Sequence, residues 1–278
     1  MSELRSRYLD WPYEISVETF SRCNAACTFC PYTTLERIGT KLPDEILDQI
    51  IEELKDHPHP FILSPFKVNE PFLDKRLLPF CRKVEANLPK ARLRIFTNGS
   101  ALTDKHIEEV GNLRQVHHLW ISLNSHDPDE YRELMSLDFE RTTGNLDRLH
   151  AADFPHDVVL SKVAVEGWAH PVQAEFVAYC NRRWPKFQVF VIKADGWLGD
   201  IPLGSPEIPD RPCGRWFELS IMANGVVSHC CMDGEGKFPI GDITKQSLFE
   251  VYNSPEWRHN RLTMWSRKNV HPCSTCSY

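Results

Sequence analysis

Short apolar, β-branched segments alternate with helical patterns through the first two thirds of the chain. The strand candidates are 13–19, 61–68, 92–97, 119–124, 158–165 and 187–193. Consecutive candidates are at least 20 residues apart, and parallel neighbours in a sheet need a connection of about a dozen residues or more, usually a helix. The alternation therefore predicts an α/β fold with a parallel sheet. It leaves an open sheet and a partial barrel as alternatives.

The clearest helical pattern covers 44–56, between the first two strand candidates. Apolar residues recur there at the spacing of one helix face, namely Ile46, Leu47, Ile50, Ile51 and Leu54. Pro43 and Pro58 bracket the pattern. Further helices are predicted near 76–87, 103–113, 140–151 and 172–183.

A change of composition marks a boundary after the last strand candidate. Residues 195–212 hold three Gly and four Pro, which is typical of a linker or long loop. We therefore divide the chain into a domain of residues 1–200 and a smaller α+β domain of residues 201–278. In the second part, Asn224-Gly225 predicts the turn of a hairpin, and 246–263 is predicted to be one helix.

Charge and hydropathy exclude several classes of protein. Asp and Glu exceed Lys and Arg by 38 to 32, for a net charge of −6, which argues against nucleic-acid binding. No apolar stretch approaches the ~18 residues of a membrane span, and the N-terminus lacks the pattern of a signal peptide. We expect a cytoplasmic protein. Ten cysteines in that compartment indicate metal or redox chemistry rather than disulfides.

Three of these cysteines, Cys23, Cys27 and Cys30, follow the first strand candidate directly. Ligands of α/β folds bind at the carboxyl ends of the strands, so the thiols lie where a substrate would bind. Three thiolates can hold three irons of a [4Fe–4S] cluster and leave the fourth iron open. Zinc, which usually takes a fourth local Cys or His, and a chance run of buried thiols are the alternatives.

The CxxxCxxC pattern, with Phe29 before the last cysteine, resembles the signature of the radical S-adenosylmethionine (SAM) enzymes. The resemblance implies a partial (β/α)6 barrel like a TIM barrel. It also implies that the open iron is chelated by the amino and carboxylate groups of SAM. The reduced cluster then cleaves the sulfonium to methionine and a 5′-deoxyadenosyl radical, which abstracts hydrogen from an unactivated carbon.

Further residues match this family at the ends of later strands. Val68-Asn69-Glu70-Pro71 resembles the GGEP element that binds the methionine amino group, although Val and Asn replace its two glycines. This implies SAM contacts from Asn69 and Glu70; a simple turn into the next helix is the alternative.

The remaining SAM-binding candidates lie on three other segments. Asn98 belongs to a TNG element of the family, and Asn-Gly is also a common turn. Ser122 and Asn124 are candidates for the ribose hydroxyls or the carboxylate. Phe29 and Tyr32 are candidates for packing near the adenine.

A second set of cysteines lies in the last quarter of the chain. The order Cys213, Gly225-x4-Cys230 and Cys273-x2-Cys276 resembles the SPASM or twitch extension of radical SAM enzymes. The shorter, twitch type implies one additional, fully ligated [4Fe–4S] cluster, so that two clusters are expected in all. Cys231 is a neighbour or a substitute for Cys230, and a zinc ribbon is the alternative.

The tail pattern is similar to that of radical SAM dehydrogenases that oxidise an aminocyclitol alcohol in antibiotic biosynthesis. A fully ligated second cluster fits net oxidation, because it can accept the electron that the substrate radical still holds. We expect a small polar substrate such as a cyclitol, sugar or nucleoside, since only 22 residues precede Cys23 and a peptide-binding module would need more. Epimerisation or decarboxylation of a carbohydrate-like substrate, peptide modification, and a zinc-stapled interaction protein are the alternatives.

Candidates for the groups that handle protons follow from position alone. They are Lys162, Glu166, Lys193 and Arg215, because such a group must reach the substrate hydroxyl. The family implies a reduced flavodoxin or ferredoxin as electron donor.

Overall fold

The computed structural model describes residues 1–203, 207–276 and 278. Its strands are β1 (Glu14–Val17), β2 (Phe61–Ser64), β3 (Ala91–Thr97), β4 (Val116–Ser122), β5 (Asp157–Ala164), β6 (Gln188–Lys193), β7 (Glu218–Ile221), β8 (Val226–Ser228) and β9 (Pro239–Asp242). Its α-helices are α1 (Ser2–Arg7), α2 (Asp44–Leu54), α3 (Leu77–Asn87), α4 (Asp104–Gly111), α5 (Pro128–Met135), α6 (Phe139–Ala151), α7 (Val172–Arg183), α8 (Leu248–Tyr252) and α9 (Pro255–Thr263).

All nine described strands form one sheet, in the order β6-β5-β4-β3-β2-β1-β7-β8-β9. Strands β1 to β6 pair in parallel with their sequence neighbours, and β7 pairs in parallel with the free side of β1. Strands β8 and β9 are antiparallel additions. The predicted α/β class with a partial barrel and an α+β tail is confirmed.

The two faces of the parallel strands differ in a way that positions the site. On β3, Leu93 and Ile95 are fully buried and join the hydrophobic core with the helices. Arg94 and Phe96 point to the other side and are half-buried. Side chains alternate along a strand, so one face is covered by helices. We call the other face, which carries polar and aromatic groups such as Arg94 and Phe96, the inner face.

Two helical segments differ from the sequence prediction. The single helix expected over 246–263 is wrong, because α8 ends at Tyr252 and α9 begins at Pro255. Proline has no N–H for the preceding turn and is favoured at the start of a helix. Helix α5 was not predicted, and its last turn supports the first cysteine loop: Leu134 and Met135 carbonyls accept hydrogen bonds from Thr28 and Ala26.

The C-terminal part continues the sheet of the first part. In the ladder between β1 and β7, Glu14 lies opposite Glu218 and Val17 opposite Ile221. The predicted hairpin at Asn224-Gly225 joins β7 to β8, with Gly225 at φ 85°. A division near residue 200 remains a prediction. Within the described ranges no helix has the length and apolarity needed to cross a bilayer.

Candidate active site

The first cysteine loop leaves the carboxyl end of β1 and is held by hydrogen bonds from both sides. On one side, Ala26 and Thr28 donate to the last turn of α5. On the other side, Ser21 Oγ donates to the Arg37 carbonyl at 2.5 Å. Cys30 donates its N–H to the Cys27 carbonyl at 3.1 Å, which closes a turn between these two ligand candidates. Hydrogen bonds from α5 and from the Arg37 segment thus hold the loop on two sides.

The thiols of this loop lie close to one another. Burial, with smaller contributions from the charges of Glu70 and Cys30, raises the pKa of Cys23 to about 12 although the Ala25 N–H opposes the rise. Burial also raises the pKa of Cys27 well above its ordinary value, with additional contributions from Cys30 and Cys23. Bare thiolates are therefore disfavoured here, and bound cations such as the irons of a cluster would stabilise them.

Glu70 lies at the carboxyl end of β2 and accepts three hydrogen bonds. They come from the Phe72 N–H at 3.2 Å, the Thr97 hydroxyl at 2.8 Å and the Asn98 N–H at 2.7 Å. Burial nevertheless raises the pKa of this carboxyl to about 7. A cationic ligand beside it would favour the charged form. The predicted partner, the amino group of SAM, fits this environment.

Asn69 precedes Glu70, and in its side-chain amide the oxygen has a hydrogen-bond partner whereas the nitrogen has none. Its Oδ1 accepts the Lys67 N–H at 2.9 Å. Its Nδ2 is buried without a hydrogen-bond partner in the described structure, and the residue is 4% exposed. A buried donor without an acceptor costs about 1–3 kcal/mol, so this amide fits a site that a ligand completes.

Asn98 connects the end of β3 to the cysteine loop. Its Nδ2 donates to Asn24 Oδ1 at 2.8 Å and lies 4.0 Å from Cys23 Sγ. Ser100 donates to Asn98 Oδ1, and Asn24 in turn donates to Ser100 Oγ at 2.8 Å. Gly99 adopts φ 77°, which only glycine takes readily. Asn24 and Ser100 were missed by sequence reasoning, although both adjoin predicted motifs.

The other SAM-binding candidates occupy different surroundings. Ser122 ends β4 and is half-buried. The Asn124 side chain is used inside the protein, since Oδ1 accepts the Val163 N–H at 2.9 Å and Nδ2 lies 3.2 Å from Met135 Sδ. Phe29 and Tyr32 are half-buried at the cysteine loop and the turn that follows. Their contacts with SAM remain predictions.

Lys162 and Glu166 form a charged group at the end of β5. Lys162 is fully buried; its Nζ donates to the Asn124 carbonyl at 2.9 Å and lies 3.2 Å from Glu166 and 3.7 Å from Glu130. Burial alone would raise the pKa of Glu166, but its own N–H and Lys162 hold that pKa below its ordinary value. Both residues thus have partners, and their catalytic role remains a prediction.

The second set of cysteines meets in one cavity. Cys213, Cys230, Cys273 and Cys276 line it together with Leu198, Trp216 and His229. Trp216 Nε1 lies 3.4 Å and His229 Nε2 3.1 Å from Cys273 Sγ. Burial raises the pKa of the Cys276 thiol, and the nearby charges of Asp195 and Cys213 raise it further. The residues predicted as ligands, which are far apart in sequence, are thus brought together.

Cys231 differs from Cys230 in its relation to that cavity. It does not line the cavity, whereas its neighbours Cys230 and Met232 do. Burial raises the pKa of its thiol to about 11, and the charges nearest to it are those of Arg215 and Glu218. Cys230 therefore lies with the ligand candidates, and Cys231 lies next to the cavity, within electrostatic range of Arg215 and Glu218.

In the described residues, no three His, Cys, Asp or Glu side chains are arranged to hold one metal ion in common. The fit to clusters rests instead on the donor set. Three free thiols gather in one loop and four in one cavity. These are the thiolate numbers that an open and a fully ligated [4Fe–4S] cluster need.

Two pairs of opposite charges lie on the inner face, and one of them, through Arg215, adjoins the second cavity. Arg94 donates to both Glu14 oxygens at 2.9 Å. Arg215 donates to both Glu218 oxygens at 2.8 and 3.0 Å, and to the Tyr278 hydroxyl at 2.5 Å. Burial raises the pKa of Glu218 to about 7, with Arg215 opposing and Glu14 adding to the rise. Of these residues the sequence had indicated only Arg215.

Aromatic rings continue the inner face across β3, β4 and β6. Phe96 stacks on Phe66 at 4.7 Å and lies 5.8 Å from Trp120, which in turn stacks on Phe190 at 5.8 Å, all between ring centroids. Trp120 Nε1 donates to Ser161 Oγ at 2.8 Å and so has a fixed ring orientation. Apolar walls with a few convergent polar groups are typical of small-molecule sites.

Comparisons with known proteins agree with this arrangement. The sequence model of the radical SAM superfamily matches residues 17–168, and that of the SPASM iron–sulfur cluster-binding domain matches residues 213–277. The S-adenosyl-L-methionine-dependent 2-deoxy-scyllo-inosamine dehydrogenase of Niallia circulans is 33% identical over 100 residues. That alignment covers 36% of this chain and 40% of the dehydrogenase.

Solved structures share the fold at low sequence identity. BtrN in complex with AdoMet and 2-DOIA has a TM-score of 0.66 and 17% identity, covering 96% of this chain and 93% of that chain. Streptococcus suis SuiB bound to precursor peptide SuiA has a TM-score of 0.73 and 15% identity, covering 99% and 72%. Because the superfamily match spans more than half of its length, the chain belongs to the radical SAM superfamily.

Proposed function

We propose that the protein is a radical SAM oxidoreductase that oxidises an alcohol of a small polar metabolite, such as a cyclitol, sugar or nucleoside, to a ketone. The observation that carries the proposal is the second cavity with its four cysteines. Complete thiolate ligation leaves no iron to bind substrate, so a cluster there would serve to accept an electron. The likeness to the Niallia circulans dehydrogenase supports the same reaction class.

The residues of the first site have different roles in binding SAM. Cys23, Cys27 and Cys30 would hold the open cluster, and Glu70 would accept hydrogen bonds from the SAM amino group. Asn69 donates its unused amide hydrogen to the ligand. When bound, the reduced cluster and SAM supply the 5′-deoxyadenosyl radical that abstracts hydrogen.

The inner face would bind the substrate and take its hydroxyl proton. We place the base at Glu218, because Arg215 orients it through two hydrogen bonds and its pKa of about 7 suits proton transfer at neutral pH. Lys162 and Glu166 fit this role less well, since they already hold each other and the Asn124 carbonyl. The rings of Phe96 and Trp120 would pack against the carbon skeleton.

Product analysis tests the proposal. Anaerobically reconstituted protein is supplied with SAM, reduced flavodoxin or ferredoxin as the expected cytoplasmic donor, and 2-deoxy-scyllo-inosamine or related cyclitols. We expect equal amounts of 5′-deoxyadenosine and ketone. A product that keeps the oxidation state of the substrate would overturn the oxidation.

Epimerisation is the second candidate, and the position of Cys231 favours it. This buried thiol lies within electrostatic range of Arg215 and of Glu218, the proposed base, so it could return a hydrogen atom to a substrate bound there. Turnover in D2O separates the two reactions. An epimerase places one solvent deuterium in its product and depends on Cys231, whereas a dehydrogenase tolerates Cys231→Ala and yields the ketone.

A further inference from the structure

A short turn at Trp197–Gly199 lies between the two cysteine sites. It follows β6 and precedes the loop that leads to the C-terminal part. The sequence pattern indicated only a linker in this region. The described part of the turn instead contacts both sites through two consecutive side chains.

Trp197 makes the contact with the first site. Its Nε1 donates to the Phe29 carbonyl oxygen at 2.9 Å. That carbonyl belongs to the peptide bond that joins Phe29 to Cys30, so the indole is one hydrogen bond and one peptide unit from a ligand candidate. The indole also packs near Gly234, where an added Cβ would lie 2.8 Å from Pro31 and 3.7 Å from Trp197.

Leu198 makes the contact with the second site. Its side chain lines the cavity that contains Cys213, Cys230, Cys273 and Cys276. The Trp197–Gly199 turn also packs against the turn Cys273–Thr275. Adjacent residues of one turn therefore face different cysteine sites.

The backbone of the turn is held in an unfavourable conformation. Trp197 has φ 48° and Leu198 φ 55°, and Gly199 follows at φ 100°. Left-handed φ values cost free energy for residues with a Cβ, and such strain concentrates at functional sites. Asp195 Oδ1 supports the conformation by accepting the Trp197 N–H at 2.9 Å. This backbone conformation of Trp197 and Leu198 directs one side chain to each site.

We infer that Trp197 is the electron-transfer bridge between the two clusters. One electron leaves the reduced second cluster, which returns to its oxidised state, and reaches the oxidised first cluster, which becomes reduced; no proton moves and no further reagent is needed. Combined with alcohol oxidation, the balance is SAM plus alcohol to methionine, 5′-deoxyadenosine, ketone and one proton. The external donor would then only start the cycle. Only the last consequence, that the external donor merely starts the cycle, rests on the proposed function.

The test uses SAM without any substrate. Full-length protein with both clusters reconstituted is reduced by two electrons, freed of excess reductant and mixed with SAM. Each cleavage of SAM consumes one electron and releases one methionine, while a buffer thiol supplies the hydrogen atom that converts the radical to 5′-deoxyadenosine. The wild type should therefore form about two of each product per chain, one per reduced cluster. The electron paramagnetic resonance signal of the second cluster, identified in a Cys23→Ala variant, should decay together with the second equivalent.

The variants separate the ring from its hydrogen bond. Trp197→Leu removes both, and over the time in which the wild type completes both phases its yield should fall to about one per chain, with the second-cluster signal preserved. Trp197→Phe keeps the ring and loses the hydrogen bond, and its second phase should be intermediate. Trp168→Leu is the matched control, because Trp168 is 64% exposed and lies beside α7; it should behave as the wild type.

Two further measurements keep the result decisive. Iron content and the spectrum of the second cluster must be unchanged in the Trp197 variants, so that a lost cluster is not mistaken for a lost route. The second phase must not depend on protein concentration, which excludes transfer between molecules. A second phase in Trp197→Leu as fast as in the wild type overturns the inference, whatever reaction the enzyme performs on its substrate.

Discussion

The two cysteine sites differ in number of thiols and in exposure. The first site has three half-buried thiols in a loop, those of Cys23, Cys27 and Cys30. Glu70 and the Asn69 side-chain nitrogen, which has no hydrogen-bond partner, belong to the same site. The four cysteines of the second cavity are at most 8% exposed. Metal sites that act on substrates keep an open position, whereas structural ones are closed. The comparison shows that one sheet carries two different sites: the first is open to a ligand, and the second is closed.

The largest effect is expected at the open site. Cys30→Ala removes one of three ligands, so SAM cleavage should be abolished and iron should fall from about eight to about four per chain. Iron assay and 5′-deoxyadenosine analysis measure both. Cys81→Ala is the control, since Cys81 is buried in α3 away from either site. Undiminished SAM cleavage in Cys30→Ala would contradict the three-thiol site.

At the closed site the expected loss is selective. Cys276→Ala should abolish ketone formation and leave SAM cleavage in place, because the electron acceptor is lost while the first site is intact. Chromatography of both products from one reaction shows the separation. If ketone and 5′-deoxyadenosine decline in parallel, the second site supports the fold rather than electron transfer.

At the proposed base, Glu218→Gln should lower kcat for oxidation by about 100-fold, which is the low end of general-base contributions. Wild-type kcat should rise with pH up to about 7, since the base must lose its proton and burial raises the pKa of Glu218 to about 7. Glu14→Gln is the comparison variant: Glu14 lies opposite Glu218 and raises its pKa, so its loss should shift the rise in kcat to lower pH without the 100-fold decrease. An unchanged pH profile in Glu218→Gln excludes Glu218 as the base.

A smaller effect is expected for SAM binding as a function of pH. Burial raises the pKa of Glu70 to about 7, so the carboxyl is neutral at lower pH and accepts hydrogen bonds from the iron-bound amino group of SAM less strongly. The SAM dissociation constant should therefore increase about tenfold per unit below about pH 7. Calorimetric titrations should show this slope in the wild type and in Glu166→Gln, and a flat, weak profile in Glu70→Gln. A slope that survives in Glu70→Gln would assign it to another group.

The smallest effect on chemistry is expected at Lys162. Lys162→Met leaves Glu166 and Glu130 without their buried cation, which should cost about 3 kcal/mol of folding free energy. Denaturant unfolding measures this loss, and the ratio of ketone to 5′-deoxyadenosine should stay at the wild-type value. A stable Lys162→Met protein without turnover would instead support the catalytic role that the sequence suggested.

Local patterns were sufficient for the parts of the site that lie close together in the chain. The strand that precedes Cys23 follows from periodicity, whereas the Glu70 segment and the Asn98 turn follow from short motifs that resemble those of the radical SAM family. The pairing of Glu14 with Glu218 depends instead on β7 joining β1 across some 200 residues, which no local pattern records. For the same reason the partners of Lys162 and the position of Trp197 required the folded chain.

The ladder between β1 and β7 has a consequence for the integrity of the molecule. Glu14 to Val17 are hydrogen-bonded on one side to β2 and on the other to β7. A protein shortened to residues 1–200 would present this central strand as a bare edge, and unpaired strand edges promote self-association. The C-terminal part thus also acts as a cover that protects the first part from aggregation.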